Sequence, residues 1–285
     1  MENKKNNWLC SFEKNVYSQN GEDGILEKIF EIIKSDNKQC VEFGALDGKF
    51  LSNTYNLIEN KGWSGALIES DEKEYEKLTE TYSVKPQNIC LNRKVNFEGE
   101  DTLDNILKNT PTDKNFDLLS IDIDGNDYHI WDSLKTYSPK VVVIEFNSTI
   151  PTDIYFVQER NLEVNQGSSL FALSKLARKK GYELVAATLW NGFFVKREFF
   201  NLFEIKDNSP KEIFKDTKYQ TRIFQLYDGK IVVDGYKKLF WHGCEMNFKK
   251  TNPLPKFFRQ YPGTMSPYKF FLLRIWRKSI KILRF

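Results

Sequence analysis

The segment Val41-Glu42-Phe43-Gly44-Ala45-Leu46-Asp47-Gly48 sets two glycines and two carboxylates at the end of a short apolar run. Glycine there lets the backbone approach a ligand closely. A second apolar run, Gly65–Glu69, ends on a carboxylate that can accept both hydroxyls of a ribose. Further along come Ser120-Ile121-Asp122-Ile123-Asp124-Gly125-Asn126-Asp127 and then Glu145 and Asn147. Such carboxylates can move protons as general acid and base. With Asn147, Asp124 and Glu145 form an oxygen-rich set suited to magnesium or manganese. Asp124 and Asp127 could instead cap a helix starting near Asn126. His129 falls inside that helix, as a base or as a satisfied surface group. The other histidine, His242, stands in Trp241-His242-Gly243-Cys244 as a substrate-side residue or part of an aromatic cluster.

The glycine spacing narrows the nucleoside. A nicotinamide dinucleotide needs Gly-x-Gly-x-x-Gly, so that a helix N-terminus receives its pyrophosphate. Here the spacing is Gly-x-x-x-Gly, with Glu42 and Asp47 alongside. Those carboxylates repel a pyrophosphate and suit a cationic, amino-acid-bearing ligand. S-adenosylmethionine (SAM) is one: it carries a sulfonium, an ammonium and a ribose.

The elements that must position these groups alternate. Helical spacing of Ile25, Ile29, Ile32 and Ile33 marks a helix over 21–34. Strands are expected at 39–43, 65–69, 88–91, 116–123 and 140–146, with helices at 51–61, 71–82, 101–108 and 127–135 between them. The Val-Val-Val-Ile run after Lys140 is apolar on both faces, as in a covered parallel sheet. A helix at 168–180 and two strands at 182–187 and 193–195 follow, the latter around a Leu-Trp-Asn-Gly turn. The expected fold is α/β: a Rossmann-like, doubly wound, mostly parallel sheet with a closing antiparallel hairpin, plus a C-terminal extension. A second hairpin is expected around Asp228-Gly229.

Glu42–Gly48 resembles the first motif of class I SAM-dependent methyltransferases. Ser120–Asp127 resembles the Lys-Ile-Asp-Val-Glu-Gly-x-Glu stretch of FkbM-type methyltransferases. Thr102-Leu103-Asp104 is similar to a segment shortly before it in that group, and Tyr17-Ser18-Gln19-Asn20-Gly21-Glu22-Asp23 to a leading segment of some members. The resemblance spans about 17–197 and departs at Ser120, Asp124 and Asp127, where Lys, Glu and Glu are commoner. It implies that Gly44, Ala45 and Gly48 pass under the methionine part of SAM, and that Glu42 or Asp47 faces its ammonium. Glu69, with Ser70 beside it, would hold the ribose. Asn92 or Arg93 would lie near adenine, and Ser18 and Gln19 would close over the carboxylate. Asp122 would stand near the transferred methyl. The catalytic candidates are thus Asp122, Asp124, His129, Glu145 and Asn147. The implied reaction is O-methylation of a sugar, glycan or nucleotide-sugar, as in capsule or surface-polysaccharide modification. The alternatives are a NAD(P)-dependent oxidoreductase and a non-catalytic SAM- or nucleotide-binding module.

Composition bounds the rest. The 285 residues are 40% apolar and 15% aromatic, with net charge +3. That excludes a disordered, collagen-like or coiled-coil chain. There is no uncharged apolar run of about 18 residues, so a spanning helix is not expected. Met1–Asn7 is polar and reads as no secretory signal. Cys10, Cys40, Cys90 and Cys244 form no CxxC or Cys/His cluster and read as free thiols in a cytoplasmic setting. The divisions expected are a methyltransferase core at 1–200, an extension at 201–267 and a basic amphipathic helix at 268–285. From Lys249 to Phe285 there are ten basic residues and no acidic one. Arg274, Arg277, Lys278, Lys281 and Arg284 fall on one side of that helix, and Leu272, Ile275, Trp276, Ile280 and Leu283 largely on the other. This pattern suits the inner face of a membrane or packing on protein, and nucleic acid much less.

Overall fold

The computed structural model describes residues 5–246 and 252–282, with side chains to Ser279. It divides into two compact units, Met1–Asp216 and Thr217–Phe285.

The first unit is built on seven strands: β1 (Gln39–Phe43), β2 (Ser64–Glu69), β3 (Ile89–Asn92), β4 (Leu118–Ile121), β5 (Val141–Glu145), β6 (Tyr182–Ala187) and β7 (Asn191–Lys196). Their order is β3-β2-β1-β4-β5-β7-β6. The first five are mutually parallel, and β7 runs antiparallel between β5 and β6. This is the expected Rossmann-like sheet with its closing hairpin. Helix α1 (Glu22–Ile33) precedes β1, and α2 (Tyr55–Lys61), α3 (Glu72–Tyr82), α4 (Leu103–Leu107), α5 (Asp127–Ser133) and α6 (Leu170–Lys180) lie between the strands in sequence. Val141 to Ile144 are wholly buried, which is why this strand shows no polar alternation. Asp71 caps α3 by accepting from the Lys73 and Glu74 amides, and Ser169 caps α6 through Ala172. Strand order reverses at β1, with β2 on one side and β4 on the other. A ligand crevice in such sheets opens beyond the carboxyl ends at this point.

Two local readings change. Helix α2 starts at Tyr55 rather than Leu51, because residues 52–54 are drawn onto Glu42. The Asn191-Gly192 pair does not make the hairpin turn. Residues 188–190 make it, with the Thr188 amide donating to the Asn191 carbonyl, and Asn191 opens β7. Gly192 is there for packing: a β-carbon would meet Leu170 Cδ1 at 3.0 Å. Two further short helices, α7 (Arg197–Phe200) and α8 (Pro210–Ile213), fall within the first unit, so that unit runs past residue 200.

The second unit holds the expected hairpin, β8 (Thr221–Gln225) with β9 (Ile231–Gly235), and the helix α9 (Pro267–Ile282). His242 is exposed, next to the ring group of Tyr219, Tyr236, Phe240 and Trp241. Leu283 and Arg284 lie outside the described residues, as do the side chains of Ile280 and Lys281. Among the described residues no helix is long and apolar enough to cross a membrane.

Candidate active site

The loop after β1 is shaped by its own carboxylates. Buried Glu42 accepts from Ser52 Oγ at 2.6 Å, Thr54 Oγ1 at 2.7 Å and the Asn53 amide at 2.9 Å. Burial pushes its proton affinity up, and these donors hold it back. Both oxygens are thus engaged in holding residues 52–54, which replaces the expected role toward a ligand ammonium. Glu42→Ala should lower folding stability by about 2–4 kcal/mol, because buried donors lose their acceptor. An unchanged denaturation midpoint would remove this role.

Asp47 also works locally, accepting from the Lys49 and Phe50 amides. Gly48, at φ +76°, faces α3: a β-carbon would lie 2.5 Å from Leu78 Cδ1, and Tyr82 donates to its carbonyl. Gly44 is different. Its φ is +74°, and a β-carbon would lie 1.8 Å from the Asp122 carbonyl oxygen. The loops after β1 and β4 therefore touch through this glycine. Glu69, at the end of β2, accepts from the Leu46 and Asp71 amides, both at 2.8 Å, which ties it to the glycine loop. Ala45 is buried, its amide bonded to the Ile68 carbonyl. Asn92 Nδ2 donates to the carbonyls of Glu69 and Ser70, and Arg93 is exposed just beyond. Six of the cofactor candidates thus gather on one edge: Gly44, Ala45, Glu69, Ser70, Asn92 and Arg93.

At the ends of β4 and β5, carboxylate oxygens of Asp122, Asp124 and Glu145 lie within 4.8 Å of one another. Asp124 sits in the left-handed region at φ 56°. Asp127 holds that loop by accepting from the Ile123 and Gly125 amides. Burial and then the neighbouring Asp127 and Asp124 charges raise the proton affinity of Asp122 well above the carboxylate range. Glu145 is raised by burial and then by Asp122, Asp127 and Asp124. Asp127 is pushed up to about 6 by burial, against the pull of its amide donors. These like charges disfavour full ionisation, and a cation among them would relieve the cost. The sulfonium and ammonium of SAM, or a divalent ion, fit that donor set. Asp122 joins the expected pair Asp124 and Glu145 there.

Asn147 and His129 serve elsewhere. Asn147 donates to the Gln166 carbonyl and accepts from the Thr149 amide and hydroxyl. Buried His129 uses Nε2 against the Gln158 carbonyl at 2.7 Å. A ring nitrogen that donates to a carbonyl has no lone pair left to take a proton, so His129 is no base through that atom. Gln158 in turn accepts from the Gln166 and Gly167 amides. Together these side chains fix the long loop between β5 and α6. That loop packs on Gly125, where a β-carbon would meet the Val164 carbonyl at 2.6 Å. The sequence carried no periodicity over 147–167 by which to place it.

The leading segment is also held by buried carboxylates. Asp23 Oδ2 accepts from the amides of Val16, Tyr17 and Ser18, and Ser18 Oγ accepts from the Asp23 amide. Glu22 accepts from the Asn20 amide, Thr188 Oγ1 and Asn191 Nδ2, joining this segment to the closing hairpin. Ser18 is therefore a buried helix-start residue. Exposed Gln19 lines a cleft of about 560 Å³ with Glu13, Asn15, Asn20 and Thr188. The Nδ2 of Asn20 is buried without a hydrogen-bond partner. No local pattern marks this cleft, since it needs the hairpin and residues 213–216 as its far wall.

Residues 100–184 match the family described as the methyltransferase FkbM domain. This stretch, under a third of the chain, is similar to that domain. The matched stretch contains Thr102-Leu103-Asp104, Asp122, Asp124 and Glu145, while the glycine loop and Glu69 precede it. The matched family is one of methyltransferases, in line with the expected enzyme class. No curated protein matches the chain by sequence. Solved structures align weakly to this chain. The citrinin polyketide synthase CMeT domain is 11% identical, with a TM-score of 0.42, over 61% of this chain and 50% of its own. The N-terminal domain of EvdMO1, solved with SAH bound, is 12% identical at 0.37, over 63% and 81%. A SAM-dependent methyltransferase from Clostridium acetobutylicum is 8% identical at 0.40, over 61% and 90%. The aligned part spans about half the length of the first of these.

Proposed function

We propose that this protein is a methyltransferase of the FkbM type that binds SAM at the β1–β4 switch point and methylates a hydroxyl of a sugar, glycan or nucleotide-sugar. The observation that carries this reading is the group of Asp122, Asp124 and Glu145 at the strand ends, in backbone contact with the glycine loop through Gly44. Glu69 would take the ribose hydroxyls, Gly44–Asp47 would lie under the methionine part, and Asn92 and Arg93 would flank the adenine. Bound there, SAM supplies an electrophilic methyl group. The chain has to align the acceptor, exclude water and take up the hydroxyl proton. Glu145 and Asp122 suit that last task, because a carboxylate of raised proton affinity is a stronger base than an exposed one. A magnesium or manganese ion, if the reaction uses one, would take the oxygens of Asp122, Asp124 and Glu145. The polar cleft beside Gln19, lined by amides and charges of both signs, suits a polyhydroxylated acceptor.

Incubation with methyl-labelled SAM and a panel of sugars, nucleotide-sugars and glycans tests the reading, with magnesium and with chelator. Label on a hydroxyl of one panel member is the expected result. A protein that binds SAM yet labels none of these acceptors would overturn the acceptor class and leave methyl transfer standing.

A further inference from the structure

Helix α9 has a buried seam and an exposed apolar stripe. Leu273 is buried, the Trp276 ring lies 5.7 Å from that of Phe258, and Lys269 Nζ donates to Gln260 Oε1 at 2.7 Å. At 100° per residue these three share one side. That side docks the helix on its own unit and fixes which residues face away. Tyr268, Phe271 and Ile275 lie on another side, at one-turn and two-turn spacing, and are 71%, 59% and 48% exposed. Arg274 and Lys278 are exposed along the edge of this stripe. An exposed row of large apolar groups is costly in water unless something covers it.

Charge selects the cover. No acidic residue stands between Lys249 and Phe285, against ten basic ones. We infer that this face of α9 docks on an anionic lipid surface, with Tyr268, Phe271 and Ile275 entering the headgroup boundary and Arg274 and Lys278 against lipid phosphates. Apolar insertion and headgroup attraction add in such interfacial helices. A nucleic acid would meet the charges but leave the stripe in water. A protein partner would need an acidic rim around an apolar patch. The inference is independent of the methyl-transfer reading, so either can fail alone.

Flotation of the full chain with vesicles tests it, using phosphatidylcholine alone and phosphatidylcholine mixed with phosphatidylglycerol. The chain should float with the mixed vesicles, less so as salt is raised, and not with phosphatidylcholine alone. A basic residue near an anionic surface is worth about five-fold in partition, so Arg274→Gln with Lys278→Gln should cost about 25-fold. Phe271→Ser with Ile275→Ser should cost about tenfold or more per side chain. Unchanged circular dichroism would show that both variants fold, as expected for exposed positions. Equal recovery with both vesicle types, or with neither, overturns the inference. So does a dimer in light scattering that the apolar variant dissolves, which would assign the stripe to a second copy.

Discussion

Glu145→Gln should lower the rate of methyl transfer about 100- to 10,000-fold. Glu145 ends β5 and shares its surroundings with Asp122 and Asp124. Burial and then these like charges raise its proton affinity. Such a group is protonated in mild acid and becomes a base as pH rises. The wild-type rate should therefore climb through a pH range above that of an ordinary carboxylate, and the Gln variant should lose this limb. Single-turnover transfer of labelled methyl across pH reads both effects. Stability should move the other way. A carboxyl whose folded proton affinity exceeds its unfolded one contributes most at low pH, and that contribution is lost as pH rises through its folded titration. The variant removes one charge from the repelling group, so its melting midpoint at neutral pH should exceed the wild-type value. Activity lost with stability gained marks strain held for function. An unchanged rate and pH profile would exclude Glu145 as the base.

Gly44→Ala should weaken SAM binding at least about tenfold and destabilise the fold by about 2–4 kcal/mol. The left-handed backbone contributes part of that cost, since φ is +74°. The larger part is steric, because the new methyl would lie 1.8 Å from the Asp122 carbonyl. Relief requires the loops after β1 and β4 to separate, which pulls the glycine loop away from the carboxylates. Gly62→Ala is the control. Gly62 has φ +70° and nothing within 4 Å of its β-carbon, so it reports the backbone cost without the clash. Denaturant midpoints of both variants and calorimetric titration of each with S-adenosylhomocysteine separate the two contributions. Equal effects at the two glycines would show that the Gly44 contact positions nothing.

The sheet was legible in the sequence because its strands are short apolar runs separated by amphipathic helices. Val141–Ile144 is buried on both faces and reads as such without any structural knowledge. The strand-end carboxylates were legible for a related reason: polar residues that close an apolar run must face the crevice. Their division of labour was not. Glu42 and Asp127 look the same in sequence as Asp122, yet both are used to bond turns, which depends on amides brought close only by folding. The roles of His129 and Asn147 are set in the same way. Their partners, Gln158 and Gln166, lie in a loop with no periodic pattern. The hairpin turn slipped because Asn-Gly is a local signal, and here Gly192 answers to Leu170 across the core.

The central claim is that the crevice beyond β1, β2 and β4 takes SAM. Calorimetric titration of the full chain with S-adenosylhomocysteine tests it most directly, with Gly44→Ala beside it. The account predicts saturable one-to-one binding by the wild-type protein, weakened in the variant. A folded wild-type chain that gives no heat and no thermal stabilisation with either S-adenosylhomocysteine or SAM would contradict it.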